Sequence, residues 1–260
     1  MPTLALASWN VLADSYVQPR FFPHTPPALL EPVARRARVV QRAREFDVDV
    51  LCLQEVEPVM LAALRASFQP GHRALYVGKT GKPDGCAILV RDTIAVKHEQ
   101  TLRFVDGDGS RPDTGHVALL LVLEHEGATF GVATTHLKWH PAETPPAEHT
   151  GLRQVTQLLA AVDGLRAGCA AWILCGDLNA PAGSNVVDAV DAAGFVDVYR
   201  DRPRAFTANA NNKAKRIDYL FHSADLQARA GDVAVIDDVT PLPSDDQPSD
   251  HLPIRGWFTR

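Results

Sequence analysis

Apolar positions along this chain follow two spacings. Short, nearly unbroken apolar runs predict strands at Leu4 to Trp9, Val48 to Glu55, Ala74 to Gly78, Cys86 to Arg91, Ile94 to Phe104, Val117 to Glu124 and Ala128 to His136. Further runs predict strands at Trp172 to Asp177, Arg216 to Phe221, Ala228 to Ile236 and Leu252 to Phe258. Apolar residues three and four apart predict helices at Pro32 to Phe46, Pro58 to Phe68, Glu148 to Leu165 and Ser184 to Ala193. Local punctuation agrees: Pro58 suits a first helical turn, Ser184 can cap, and Gly194 can close. Glu126-Gly127 reads as a hairpin turn, Asp106 to Ser110 as a polar turn, and Pro141 to Pro146 as a proline-rich loop.

Strands and helices alternate without a clean βαβ repeat or a solenoid period, which favours an α/β layered fold of two packed sheets with outer helices. With 260 residues, 46% of them hydrophobic, and no low-complexity linker, residues 1–260 read as a single domain with a large core. A net charge of -5 and a pI near 6.0 exclude a protein that coats nucleic acid non-specifically, but permit a local basic groove. Cys52, Cys86, Cys169 and Cys175 show no CxxC spacing, and two lie in apolar strand-like runs, as expected of buried reduced thiols in a cytoplasmic protein. The N-terminal apolar run lacks a basic flank and reads as a strand rather than a signal peptide; no run is long enough to span a bilayer, so a soluble protein with no membrane contact is expected.

Chemistry-bearing residues fall where the apolar runs break. Trp172-Ile173-Leu174-Cys175-Gly176-Asp177-Leu178-Asn179 delivers an acid and an amide two residues apart, on one face of an extended chain. An Asx turn would use the same residues. Asn10, Glu55, His136, Asp218, Asp250 and His251 sit at the ends or interruptions of other runs, so a fold gathering those ends would gather these side chains. Oxygen donors without cysteine suit a hard cation such as Mg2+ or Mn2+, and imidazoles beside them suit hydrolysis of a phosphate ester.

Seven segments in order carry a family resemblance: Trp9-Asn10-Val11-Leu12-Ala13-Asp14, Leu53-Gln54-Glu55-Val56, Asp84-Gly85-Cys86-Ala87-Ile88, Thr135-His136-Leu137, Gly176-Asp177-Leu178-Asn179, Ile217-Asp218-Tyr219-Leu220 and Ser249-Asp250-His251-Leu252-Pro253. The chain resembles the endonuclease/exonuclease/phosphatase superfamily, and its CCR4/nocturnin-like branch in particular. That resemblance implies a four-layer α/β sandwich of two mixed β-sheets flanked by helices. It also implies that Glu55 binds the metal with Asn10 beside it and Asp250 completing the site. Asp177 would activate water and Asn179 hold the scissile phosphate. His136 and His251 would donate to phosphate oxygens, with Asp218 paired to His251.

Weaker candidates for substrate binding are Lys79, Lys138, Lys215 and Arg216 as phosphate contacts and Trp139 as a base-stacking platform. The resemblance adds Phe206 near the substrate base, while Asn209-Ala210-Asn211-Asn212 stands where the branch has a tryptophan, a departure that bears on adenine specificity. The expected activity is metal-dependent hydrolysis of RNA or single-stranded nucleic acid from a 3′ end. Hydrolysis of a small nucleotide, such as a dinucleotide cofactor or 2′-5′ oligoadenylate, is the rival enzyme reading, and a catalytically inactive nucleotide-binding module the non-enzymatic one. No obligate protein partner is implied.

Overall fold

A computed structural model describes residues 1–107, 111–141, 143–210 and 213–260. The expected turn at Asp106 to Ser110, the loop at Pro141 to Pro146 and the segment Asn209 to Asn212 fall partly outside the described residues.

Two six-stranded sheets stack face to face. The first has the order β13-β14-β1-β2-β4-β3, built from β1 (Thr3–Asn10), β2 (Val50–Val56), β3 (His72–Gly78), β4 (Gly85–Arg91), β13 (Gln227–Ala230) and β14 (Ile254–Thr259). The second, β5-β6-β7-β8-β12-β9, comprises β5 (Ala95–Arg103), β6 (Val117–His125), β7 (Ala128–His136), β8 (Trp172–Asp177), β9 (Phe195–Asp197) and β12 (Asp218–Ser223). A small hairpin pairs β10 (Ala208–Ala210) with β11 (Lys213–Lys215). Helices α1 (Pro32–Arg44) and α2 (Pro58–Phe68) cover the outer face of the first sheet. Helices α3 (Thr150–Leu165) and α4 (Asn185–Ala192) cover that of the second, completing four layers.

The apolar runs lack alternation because both strand faces are buried. On β8, Trp172 and Leu174 pack under α3 and α4, whereas Ile173 and Cys175 enter the core between the sheets. All four cysteines are free and buried. The Glu126-Gly127 turn joins β6 to β7 with both residues at positive φ (49° and 80°), the twist a tight hairpin requires. Among the described residues no helix is long and apolar enough to cross a membrane.

The strand expected over Ala228 to Ile236 ends at Ala230. Beyond it the chain is irregular and includes an Asx turn in which Asp237 accepts bonds from Val239 N and Thr240 Oγ1. Ile236, Leu242 and Leu252 then anchor an irregular segment through their own small cluster.

Each sheet has one parallel pair at its centre, β1 with β2 and β7 with β8. These four strands end at the same edge, and β12 and β14, antiparallel to β8 and β1, begin there. The approach of β7 to β8 depends on Gly176, opposite Thr135 with φ 131°, where a Cβ would lie 2.0 Å from the Thr135 carbonyl oxygen. Gly176→Ala is expected to cost about 3 kcal/mol or more, from overpacking and backbone strain together, read as a lowered urea midpoint.

Candidate active site at the strand ends

Strand parity carries the inter-sheet layer from apolar to polar as it nears this edge. Leu4 and Leu6, Cys52, Phe130 and Val132, and Ile173 and Cys175 lie in the apolar part. One step on, Gln54 Nε2 donates to Ser8 Oγ (3.2 Å) and Thr134 Oγ1 (2.8 Å), linking the two sheets. The next step brings Asn10, His136 and Asp177 together, all buried. Glu55 is out of phase with this parity. It enters because β2 bulges against β4 between Leu53 and Val56, with Glu55 itself at φ 58°.

Asn10 is the hub between the sheets. Its Nδ2 donates to Glu55 Oε1 (2.9 Å) and to Asp177 Oδ2 (3.0 Å), while its Oδ1 accepts from Leu12 N. Ala13 N donates to Glu55 Oε2 at 2.9 Å, and Asn179 N to Asp177 Oδ1 at 2.8 Å. Burial, then the charge of Asp218, pushes Asp177 up to about 7. Glu55 is also raised, by burial and then by Asp250.

Both histidines approach Asp177 Oδ2, His136 Nε2 at 3.7 Å and His251 Nε2 at 3.8 Å. Burial works against a charged His251, but the carboxylates of Asp218 and Asp177 overcome it and hold its pKa well above the ordinary value. Its Nδ1–H donates to Asp218 Oδ2 at 2.8 Å. His136 is the reverse: burial, then Lys79, then His116, lowers it well below the ordinary value. Lys79 Nζ lies 3.2 Å from its Nδ1 and Asn179 Nδ2 lies 2.9 Å from its Nε2. Two donors against a ring with one acceptor leave an N–H free to turn to a substrate oxygen. His251 is thus the imidazolium and His136 its neutral partner.

Lys79 is not the solvated loop lysine its neighbours suggest. Only 6% exposed, it is held by Asp84 Oδ2 at 2.6 Å, and Tyr16 Oη donates to the other oxygen of Asp84 at 2.7 Å. Trp139 is 52% exposed and lines a cavity of about 450 Å³ with Asn179 and Lys215. Lys138, half-buried, follows directly after Leu137, whose carbonyl accepts from Asn179 Nδ2. Phe206 lines a separate cavity of about 650 Å³ with Lys215 and Arg216, and packs towards Ile236 and Leu242. Arg216 departs from its expected role: it is buried, ion-paired with Asp197, bonded to the Tyr199 carbonyl and laid over the Tyr219 ring. Those partners occupy the guanidinium before any phosphate arrives.

Sequence reasoning missed His116, buried with its ring edge-on to His136 at 5.9 Å and its Nδ1 beside Thr114 Oγ1 at 2.8 Å. A histidine just before the run Val117 to Glu124 was the available signal. Burial, then Lys79, lowers it to about 3. It folds neutral, so between about pH 6.5 and 3 the unfolded chain takes up a proton that the folded chain does not. His116→Gln is expected to gain on the wild type by about 1.4 kcal/mol per pH unit as pH falls through that window, with no pH-dependent gain above it. Paired urea titrations from pH 8 to 4 read this difference directly.

Two donor sets could take a cation. Glu55, Asn10 and Asp250 offer oxygens only; Asp250 is buried with its Oδ1 unpartnered, as is Asp218 Oδ1, and the Asp250 charge raises Glu55, a carboxylate pair that a hard cation would relieve. Asp177, Asp218 and His251 have ligand atoms within 4.8 Å of one another, but there the His251 imidazolium already supplies the positive charge.

A model of the endonuclease/exonuclease/phosphatase family matches residues 7–251. The chain belongs to that family. Hydrolysis of phosphate esters is the chemistry the family's name describes, and relatives of the chain fall in its CCR4/nocturnin-like branch. It is 24% identical to carbon catabolite repressor protein 4 homolog 4 of Arabidopsis thaliana, over 97% of this chain and 76% of the relative. It is 23% identical to the CCR4-Not complex 3'-5'-exoribonuclease subunit Ccr4 of Saccharomyces cerevisiae, covering 98% of this chain but 38% of that protein. Against human protein angel homolog 2 it is 28% identical over 69% of this chain and 35% of the relative, so it spans little more than a third of those two proteins. Among solved structures, ANGEL2, described as a 2',3'-cyclic phosphatase, superposes with a TM-score of 0.87 at 23% identity, covering 98% of this chain and 95% of that one. The human Nocturnin catalytic domain superposes with a TM-score of 0.77 at 23% identity, covering 99% and 93%. These two family structures share the four-layer fold.

Proposed function

We propose that this chain, acting as one catalytic domain, hydrolyses phosphodiester bonds of RNA or single-stranded nucleic acid from a 3′ end. The observation that carries the reading is Asp177, a buried carboxylate pushed up to about 7 between an imidazolium and a neutral imidazole. Such a group suits removal of a proton from water near neutral pH. His251, kept charged by Asp218, faces the position where negative charge builds on phosphorus oxygens, and His136 and Asn179 offer uncharged N–H donors beside it. Bound by Glu55, Asn10 and Asp250, Mg2+ or Mn2+ would neutralise phosphate charge as a Lewis acid. The cavity under Trp139 suits a base, and Lys215 and Lys138 suit flanking phosphates. The four buried free thiols fit the reducing cytoplasm.

A second reading, hydrolysis of a cyclic phosphate or small nucleotide, is favoured by the 0.87 TM-score to a 2',3'-cyclic phosphatase and by the net charge of -5. A panel of oligoadenylate, mixed-sequence RNA, DNA, a 2',3'-cyclic nucleotide and a free dinucleotide, with Mg2+ or Mn2+, separates the two. Faster turnover of the oligonucleotides, lost on chelation, is expected; faster turnover of the small substrates would reverse the order of the readings.

A further inference from the structure

Helix α1 turns a stripe of Arg35, Val39 and Ala43 into the fold, and its charged member is wholly buried. A guanidinium is not placed on an apolar stripe without compensation, so its partners state its purpose. Nη1 donates to the carbonyls of Val11 (2.9 Å) and Pro248 (3.1 Å). Nη2 donates to the carbonyl of Leu12 (2.5 Å) and to Asp14 Oδ1 (2.5 Å).

The peptide units concerned are the ones that serve the candidate cation site. The peptide joining Val11 to Leu12 gives its carbonyl to Arg35 and its N–H to Asn10 Oδ1. The peptide joining Leu12 to Ala13 gives its carbonyl to Arg35 and its N–H to Glu55 Oε2. In a trans peptide the two groups point opposite ways, so holding one aims the other. Leu12 adopts φ 56°, a conformation a leucine avoids unless the surroundings enforce it. Pro248, the third carbonyl, lies two residues before Asp250 in the loop that Ser249 ties to the Asn10 carbonyl.

We propose that Arg35 is a positioning residue for the cation site: through two consecutive peptide units and the Pro248 carbonyl it fixes Asn10, Glu55 and the Asp250 loop from behind. The inference rests on the reading of Glu55, Asn10 and Asp250 as the cation's ligands. The guanidinium fork serves several oxygens at fixed angles, which the single ammonium of lysine cannot copy. Outer partners of metal ligands commonly change affinity by about ten- to a hundredfold.

Mn2+ binding to the substrate-free full chain, followed by electron paramagnetic resonance, tests this. Arg35→Lys and Arg35→Gln are expected to weaken Mn2+ binding by about tenfold or more, with KM for an oligonucleotide at saturating Mn2+ changed less than about twofold. Val39→Ala, one turn along the same stripe, provides a destabilised control expected to bind Mn2+ as the wild type does. Asp14→Asn, which loosens Arg35 while keeping it, covers the case in which neither Arg35 variant folds, and is expected to weaken binding about threefold. Wild-type affinity in every variant that folds, or equal weakening in the Val39→Ala control, would overturn the role of Arg35. A wild-type protein that binds no Mn2+ would instead overturn the cation reading on which it stands.

Discussion

Asp177→Asn is expected to slow phosphate-ester hydrolysis by about a thousandfold or more while the protein stays folded. The amide keeps the shape of the carboxylate and cannot take a proton from water. The fold should tolerate the change because Asp177, pushed up to about 7 by burial and Asp218, already accommodates a proton in neutral solution. The new N–H faces Asn10 Nδ2, itself a donor, at a cost of about 1–3 kcal/mol, set against relief from a buried charge. Mn2+ binding should survive, since the oxygens assigned to the cation are those of Glu55, Asn10 and Asp250. Single-turnover rates, thermal melts and Mn2+ titrations on one preparation check all three points. Retained hydrolysis would remove Asp177 as the base, whereas loss of Mn2+ binding would move the cation towards Asp177, Asp218 and His251.

The complementary expectation is that Glu55→Gln loses both properties. Glu55 accepts from Asn10 Nδ2 and Ala13 N, and its charge is disfavoured by burial and by Asp250. A glutamine must turn its NH2 towards one of those donors, so a lowering of the melt by a few degrees is expected. The larger effect should be on the ion. Removing a charged oxygen ligand is expected to weaken Mn2+ binding by about a hundredfold or more, with hydrolysis falling in step and recovering in part at high Mn2+. Hydrolysis that falls without any change in Mn2+ affinity would place the ion elsewhere.

The sequence was legible where strand parity operates. Asn10, His136 and Asp177 close apolar runs in phase with interior residues of the same strands, so their meeting follows once the parallel pairs end together. Glu55 was legible as a break in a run, but its orientation was not, because a bulge and a left-handed residue set it. The burial of Lys79 was not foreseen and Arg35 was missed, for a common reason. Each is buried against partners far along the chain, Lys79 against His136 and Arg35 against the Pro248 carbonyl, and no local pattern contains those pairings. Arg216 looked like one more basic loop residue, and only the position of Asp197 on β9 shows where its charge is spent. The segment beyond Ala230 had the composition of a strand, yet the ladder stops there and a turn built on Asp237 follows.

Gln54, bonded to Ser8 within its own sheet, reaches Thr134 across the gap between the sheets, one step below the cleft, while Asn10 and Asp177 meet across the same gap at 3.0 Å. The proposed base and the proposed cation ligands Asn10 and Glu55 thus lie on different sheets, and a slip of one sheet against the other by about an ångström would part them before any strand frays. Turnover should therefore fade on warming ahead of the circular dichroism signal, and loosening Gln54 should widen that interval.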